Sequence, residues 1–327
     1  MEHGGRLRAA AERYRIPLSD WLDLSTGINP RPWPVPPLPP PAWARLPEDE
    51  DGLLEAMTAY YGCARGLPVA GSQAAIQALP AMRRPCRVGV LAPAYAEHAH
   101  AWRVAGHEVL NLSAAQIDPA LARLDVLVLV NPNNPTGERF APQRLLTWHH
   151  AMRGRGGWLV VDEAFMDPTP EQSVVSFTDR AGLIVLRSLG KFFGLAGARV
   201  GFIFSGDDTL LTALHARLGP WALAHPSRWV AQRALRDTGW QVATRSRLPE
   251  DGARLAALLC RHGLQPSGGT ALFQWVITAQ APVLHGALAR RGIFTRLFTA
   301  PASLRFGLPG AETQWHRLEQ ALAEASL

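Results

Sequence analysis

The chain has 327 residues, enough for two domains, with a formal net charge of +6 and a pI near 9.9. Its arginines are spread along the chain in at most short pairs, such as Arg83-Arg84 and Arg290-Arg291, without interleaved aromatic residues. This pattern argues against a nucleic-acid-binding protein and favours small anionic ligands.

Membrane and secretory classes are also disfavoured. No apolar run approaches the roughly 20 residues that span a bilayer, and the N-terminus lacks the apolar core of a signal peptide. Cys63, Cys86 and Cys260 are scattered and lie outside any metal-binding spacing. We therefore expect reduced thiols, a cytoplasmic location, no membrane partner and no metal site.

The proline-rich segment at 31–41 predicts an extended connector. The elements of an α/β domain follow it. Helical patterns cover Leu53–Tyr61, the residues after Gly71, Ala96–Val104 and Gln143–Met152. Apolar strands are predicted at Val88–Leu91, Val109–Leu112, Val126–Val130, Trp158–Val161, Leu183–Leu186 and Val200–Phe204. Continuous apolar strands that alternate with helices indicate a mostly parallel sheet covered on both faces.

The pattern changes after about residue 225. One long helix is predicted from Arg228 towards Leu259 and a final helix at Glu312–Ala323. Three strands are predicted between them, at Leu272–Ile277, Ile293–Leu297 and Ser303–Leu308. We therefore predict a large domain at 42–224 and a smaller, discontinuous α+β domain at 1–30 and 225–327, joined by the connector at 31–41.

Lys191 is the only lysine of the chain, since all other Lys+Arg residues are arginines. A lysine amine can lose its proton and attack a carbonyl, whereas a guanidinium cannot. The surrounding segment, from Ser188 to Arg199, is too apolar for a solvated charge. Lys191 is therefore a candidate for covalent chemistry.

Three further loops are expected at the ends of strands, where open α/β sheets build their sites. Gly71-Ser72-Gln73-Ala74-Ala75 opens a helix and could bind a phosphate, although it could equally be a simple N-cap. Asn131-Pro132-Asn133-Asn134-Pro135-Thr136-Gly137 could be merely a turn. Asp162, which ends a buried strand, could serve only a structural ion pair.

Together, in this order and spacing, the four motifs resemble the fold-type I pyridoxal-phosphate enzymes of the aspartate aminotransferase superfamily. The resemblance covers essentially the whole chain. It implies a large domain with a mostly parallel sheet covered by helices, and a smaller α+β domain.

The same resemblance implies roles for individual residues. Lys191 bonds the cofactor aldehyde and later moves protons, while Asp162 pairs with the pyridine nitrogen. Asn134 donates to the ring oxygen, and Tyr95 stacks on the ring face. The cofactor phosphate is held by Ser72, Gln73, Ser188 and Arg199.

Other features are similar to a narrower family, the threonine-phosphate decarboxylases, whose product supplies the aminopropanol phosphate arm of cobalamin. They are His3-Gly4-Gly5, the segment Asp23–Pro30, Asp162-Glu163-Ala164-Phe165 and Pro220-Trp221. The alternative is a histidinol-phosphate aminotransferase, a family that typically has tyrosine at the position of Phe165. The phenylalanine weighs against that alternative.

The resemblance also implies how the substrate is bound. Arg305 is expected at its carboxylate, and Arg296 with His3 at its phosphate. Gly4 and Asn134 complete the predicted set. Arg296 could instead form a surface salt bridge. The chain has Pro309 where the family usually offers a further arginine, four residues after the carboxylate ligand.

The resemblance implies a homodimer. Many relatives have a tyrosine at the position of Leu46, and that tyrosine reaches the cofactor phosphate of the neighbouring subunit. Leu46 cannot make this contact. Two other classes fail on the sequence: the Ser-x-x-Lys acyltransferases need a second lysine, and a regulator with a fused DNA-binding domain needs more residues before the connector.

Overall fold

The computed structural model describes residues 4–325. The chain divides into two compact units. The large unit contains Trp33–Asn134 and Arg139–Ala243, and the small unit contains the residues up to Pro32, Pro135–Glu138 and those from Thr244 onwards.

The strands are, in chain order, β1 (Leu22–Leu24), β2 (Gly66–Val69), β3 (Arg87–Leu91), β4 (Glu108–Leu112), β5 (Val126–Val130), β6 (Trp158–Asp162), β7 (Leu183–Ser188), β8 (Gly201–Ser205), β9 (Gly268–Thr270), β10 (Phe273–Ile277), β11 (Ile293–Thr299) and β12 (Ala302–Gly307). The α-helices are α1 (Leu7–Tyr14), α2 (Pro41–Ala44), α3 (Leu53–Tyr61), α4 (Ser72–Ala78), α5 (Ala96–Val104), α6 (Ala114–Ala120), α7 (Pro142–Arg153), α8 (Asp208–Leu218), α9 (His225–Arg236), α10 (Thr238–Arg261), α11 (Ala281–Ala289) and α12 (Glu312–Glu324).

The large unit is built on a seven-stranded sheet of order β2-β8-β7-β6-β5-β3-β4. Strands β3 to β7 run parallel to one another, and only β8 is antiparallel to its neighbours β7 and β2. Every residue of β5 is buried, because helices such as α4, α5 and α8 pack on one face while the other face is also covered. The predicted mostly parallel sheet is confirmed. Its parallel strands β5, β6 and β7 bring their carboxyl ends to one edge.

The small unit contains a five-stranded sheet of order β1-β11-β12-β10-β9. β1 runs parallel to β11, while the other neighbours are antiparallel. The N-terminal segment therefore contributes a strand to this sheet. In the pair of β11 and β12, Arg296 lies directly opposite Arg305, so both side chains lie on one face.

The prediction of one long helix from Arg228 towards Leu259 is wrong, because two helices, α9 and α10, meet at Asp237. The carboxylate of Asp237 accepts a hydrogen bond from the main-chain N–H of Trp240 at 3.0 Å, which caps α10. Its second oxygen accepts from Trp33 Nε1 at 3.0 Å. Helix α9 also belongs to the large unit, whereas the sequence analysis placed residues from 225 onwards in the small one.

The predicted connector contains no strand. Residues 32–39 form neither helix nor strand, and Pro41 begins the short helix α2. Among the helices of residues 4–325, none is both long and apolar enough to cross a bilayer.

Candidate functional site

One pocket of the large unit, at the carboxyl ends of β5, β6 and β7, collects all the residues predicted to bind the cofactor. They are Ser72, Gln73, Tyr95, Asn134, Asp162, Ser188, Lys191 and Arg199. These residues lie on separate segments of the chain, and the parallel sheet brings them together because equivalent strand ends meet at one edge.

Asp162 ends β6 and is only 3% exposed. Its Oδ2 atom lies 2.9 Å from Nε2 of the buried His98, and its Oδ1 accepts a hydrogen bond from the N–H of Ala164 at 3.0 Å. These two contacts fix the plane of the carboxylate.

His98 was missed in the sequence analysis. It lies on α5, three residues after Tyr95, which precedes the helix as its N-cap residue, and the two rings meet edge to face at 6.2 Å. The spacing was the available signal, but nothing in the sequence indicated that the imidazole contacts Asp162, which is 64 residues away.

Lys191 follows β7 in a loop with buried apolar neighbours. Leu189, Phe192 and Phe193 are fully buried, and the amine Nζ lies 5.4 Å from the ring centroid of Phe165. The loop is therefore rigidly packed around a lysine whose amine reaches the pocket. Packing of this kind pre-positions a nucleophile.

The Gly71 turn and Arg199 form a cradle for an anion. Gly71 has φ +73°, and a Cβ there would lie 2.5 Å from Arg199 Nη2. A Cβ at Gly201 would lie 2.4 Å from the main-chain nitrogen of Ser72, and Gly201 pairs with Ser188. Because neither glycine has a side chain, the Arg199 guanidinium, the hydroxyls of Ser72 and Ser188 and the N-terminus of α4 lie close together. This donor set fits the phosphate of the predicted pyridoxal phosphate.

Gln73 and Tyr95 are joined to each other. The Tyr95 hydroxyl donates to Gln73 Oε1 at 2.9 Å, and Gln73 Nε2 donates to Glu97 Oε2 at 3.2 Å. Burial, reinforced by the charges of Glu97 and Asp162, raises the pKa of Tyr95 to about 12, so its ring stays neutral. The side chain of Gln73 is thus held between Tyr95 and Glu97, while its main chain lies at the start of α4.

Arg296 and Arg305, two of the predicted substrate ligands outside this pocket, lie in the small unit. Arg305 is 7% exposed, and its Nη2 donates to the carbonyl of Ser25 at 2.6 Å. Burial, and then the charge of Arg296, lowers the pKa of Arg305 to about 10. Two arginines paired across neighbouring strands repel each other, and an anion between them relieves that repulsion. His3 lies outside the described residues, and Gly4 is the first described one.

Comparisons with known proteins agree with this geometry. Residues 50–322 match the family model "Aminotransferase class I and II", and the chain belongs to this family. It is 60% identical to a threonine-phosphate decarboxylase of Pseudomonas aeruginosa over 98% of this chain and 97% of that protein. It is 40% identical to a threonine-phosphate decarboxylase of a Sinorhizobium species, over 99% of this chain and 98% of that protein.

Solved structures show the same fold at low sequence identity. A histidinol-phosphate aminotransferase from Clostridium acetobutylicum superposes with a TM-score of 0.83 at 18% identity, over 93% of this chain and 99% of that one. An L-threonine-O-3-phosphate decarboxylase from Porphyromonas gingivalis superposes with a TM-score of 0.78 at 17% identity, over 92% of this chain and 98% of that one. The predicted fold class is confirmed.

Gly71→Ala tests the cradle. We expect the dissociation constant of pyridoxal phosphate to rise at least tenfold, because the added Cβ displaces the Arg199 guanidinium. The strained backbone should also cost about 1–3 kcal/mol of stability. The dissociation constant is measured by titrating the cofactor-free protein and following its visible absorption.

Gly197→Ala is the matched control, because a Cβ there meets nothing within 4 Å and the backbone is not left-handed. Unchanged cofactor affinity in Gly71→Ala would show that Arg199 does not hold the phosphate.

Proposed function

We propose that this chain is a pyridoxal-phosphate-dependent decarboxylase. It converts L-threonine O-3-phosphate into (R)-1-amino-2-propanol phosphate and carbon dioxide, for cobalamin biosynthesis. The observation that carries the proposal is the pocket that joins Lys191, Asp162 and the Arg199 cradle, in a chain with 60% identity to a threonine-phosphate decarboxylase.

Pyridoxal phosphate, when bound, supplies an electron-withdrawing ring that accepts the electron pair left at Cα when a bond of the amino acid breaks. Lys191 Nζ would attach the cofactor, and the Arg199 cradle would hold its phosphate. Asp162, fixed by His98 and Ala164, would provide a carboxylate for the ring nitrogen.

The reaction exchanges a carboxylate for a proton at Cα. The carboxylate leaves as carbon dioxide, its bonding electrons remain with Cα, and one proton replaces it. Lys191 is the only lysine of the chain, and Nζ is the group in the pocket that can return this proton. Burial raises the pKa of Tyr95 to about 12, and its hydroxyl already donates to Gln73 Oε1, so it is a weaker proton donor than a lysine ammonium.

The substrate is an anion at both ends, and the small unit offers paired cations for it. Arg305 binds the carboxylate with a guanidinium fixed by the Ser25 carbonyl. Arg296 binds the phosphate, together with His3. The placement of Arg296 opposite Arg305 supports these assignments.

Decarboxylation is distinguished from transamination by a direct assay. With threonine phosphate we expect stoichiometric carbon dioxide and aminopropanol phosphate, and no amino transfer to 2-oxoglutarate. Borohydride should fix the cofactor to Lys191, and Lys191→Arg should fold but release no carbon dioxide. Efficient transamination of histidinol phosphate without carbon dioxide from threonine phosphate would replace the proposal with the aminotransferase alternative.

Arg296→Ala tests the phosphate ligand. We expect kcat/KM for threonine phosphate to fall at least tenfold, about 1.4 kcal/mol, because a charge-assisted hydrogen bond is lost. Turnover of unphosphorylated threonine should change less than threefold. Arg261→Ala, which removes an exposed arginine paired with Glu319, is the control. Equal losses for both amino acids would remove Arg296 from the phosphate site.

We also propose that the chain acts as a homodimer in the cytoplasm. Trp43, Leu46 and Trp221 are exposed by 68%, 60% and 59%, and Trp221 has φ +58°, which is unfavourable for a bulky residue. Pro47, Leu54 and Trp221 line one surface depression, which a second copy would cover. The three free cysteines are in keeping with a reducing compartment.

Sedimentation velocity tests the dimer. The wild-type protein should sediment with about twice the chain mass of 35.6 kDa, and Trp221→Asp should shift the population towards the single chain. Exposed Val104→Asp is the control, and a wild-type protein that stays monomeric at micromolar concentration would contradict the proposal.

A further inference from the structure

Ser25 is a fully buried serine just after β1, and three parts of the small unit meet at it. Its hydroxyl accepts a hydrogen bond from the N–H of Gly5 at 2.7 Å and donates to Asp23 Oδ1 at 2.6 Å. Its carbonyl accepts from Arg305 Nη2 at 2.6 Å. Ser25 therefore binds the N-terminal segment Gly4-Gly5 with its side chain and Arg305 with its main chain.

The turn around Ser25 has no room to move. A Cβ at Gly4 would lie 2.4 Å from the Ser25 carbonyl oxygen, and a Cβ at Gly307 would lie 2.2 Å from the Thr26 carbonyl oxygen. Asp23 Oδ1 also accepts from the N–H of Ser25 at 2.9 Å, which closes the turn on itself. The turn is thus packed between the N-terminal segment and the end of β12.

We propose that Ser25, held by Asp23, is a positioning residue that fixes Arg305 and the N-terminal segment in one arrangement and so determines the affinity for the phosphorylated amino acid. This inference rests on the proposed function, because it takes Arg305 and Gly4 as substrate ligands. Ser25 does not itself touch the substrate.

The orientation of Arg305 depends on this contact. Its guanidinium lies 5.2 Å from the ring centroid of Phe273, and Nη2 is directed to the Ser25 carbonyl. A bidentate pair with a carboxylate requires the plane of the guanidinium to be fixed. A small displacement of the turn rotates that plane and weakens binding, since misplacement by an ångström or less is costly.

The N-terminal segment depends on the hydroxyl. The hydrogen bond from the Gly5 N–H to the Ser25 hydroxyl fixes Gly5 at the turn whose carbonyl binds Arg305. Gly4 and Gly5 then form a fixed support rather than a free hinge. Removing the hydroxyl frees the segment and leaves the Gly5 N–H without its acceptor.

The test compares Ser25→Ala with Ser303→Ala. Ser303 is also fully buried, lies on β12 with Arg305, and donates only to the Pro301 carbonyl at 2.9 Å, so it controls for loss of a buried hydroxyl. We expect Ser25→Ala to raise KM for threonine phosphate about tenfold while kcat changes less than threefold. Ser303→Ala should leave KM within twofold.

Hydrogen exchange gives a readout that does not depend on activity. Exchange of the Gly5 amide should accelerate at least tenfold in Ser25→Ala and not in Ser303→Ala. Accelerated exchange in a protein that does not decarboxylate threonine phosphate would keep the positioning role and reject the proposed function. Unchanged exchange, or a KM equal to that of the wild-type enzyme, would overturn the inference itself.

Discussion

The pocket of the large unit depends on one buried arginine, Arg187, that compensates two buried carboxylates. Its Nη1 lies 2.7 Å from Glu163 Oε2 and its Nη2 lies 2.7 Å from Asp167 Oδ1, with all three side chains essentially inaccessible. Burial lowers the pKa of the guanidinium, but the charges of Asp167 and Glu163 outweigh it and raise that pKa above its ordinary value. Arg187 therefore stays charged, and removing it would leave two uncompensated buried carboxylates.

This cluster determines where the pocket side chains point. Successive residues of a strand face opposite sides, so Glu163 and Arg187 on one side direct their neighbours Asp162 and Ser188 to the other. The N–H of Glu163 also donates to the Leu186 carbonyl at 2.9 Å, which continues the ladder between β6 and β7 beyond Asp162. The ion cluster thus locks the two strand ends in register, and Asp162 and Ser188 take fixed places in the pocket.

The parts of the fold that could be predicted from sequence are those whose burial is continuous along the chain. β5 has the predicted bounds Val126–Val130, because every residue is apolar and both faces are covered. β1, β2 and β9 were not predicted. They have only three or four residues, and β2 and β9 contain glycine or proline, so partners distant in sequence form them rather than local propensity. The break at Asp237 was missed although Asp237 and Gly239 are both weak helix formers.

The residues of the site also divide into those that the sequence reveals and those that it does not. Residues expected to touch the cofactor, such as Asp162 and Lys191, belong to compact motifs, and the sequence reveals them. The residues that orient these ligands do not belong to such motifs. His98 contacts Asp162 across 64 positions, and Ser25 contacts the substrate ligand Arg305 across 280. The adjacent residues Asp162 and Glu163 show why the sequence does not reveal such partners.

These two adjacent carboxylates are chemically alike and both buried, yet one faces an imidazole and the other a guanidinium. Asp162 keeps an environment in which it can pair with a ligand, because its protein partner carries no permanent charge. Glu163 is fully committed to Arg187, Ser173 and the Val174 N–H. Which side of the strand a carboxylate faces determines its partner, and the partner determines whether the carboxylate can bind a ligand or is purely structural. The partners come from distant parts of the chain, so tertiary structure and not local sequence sets this difference.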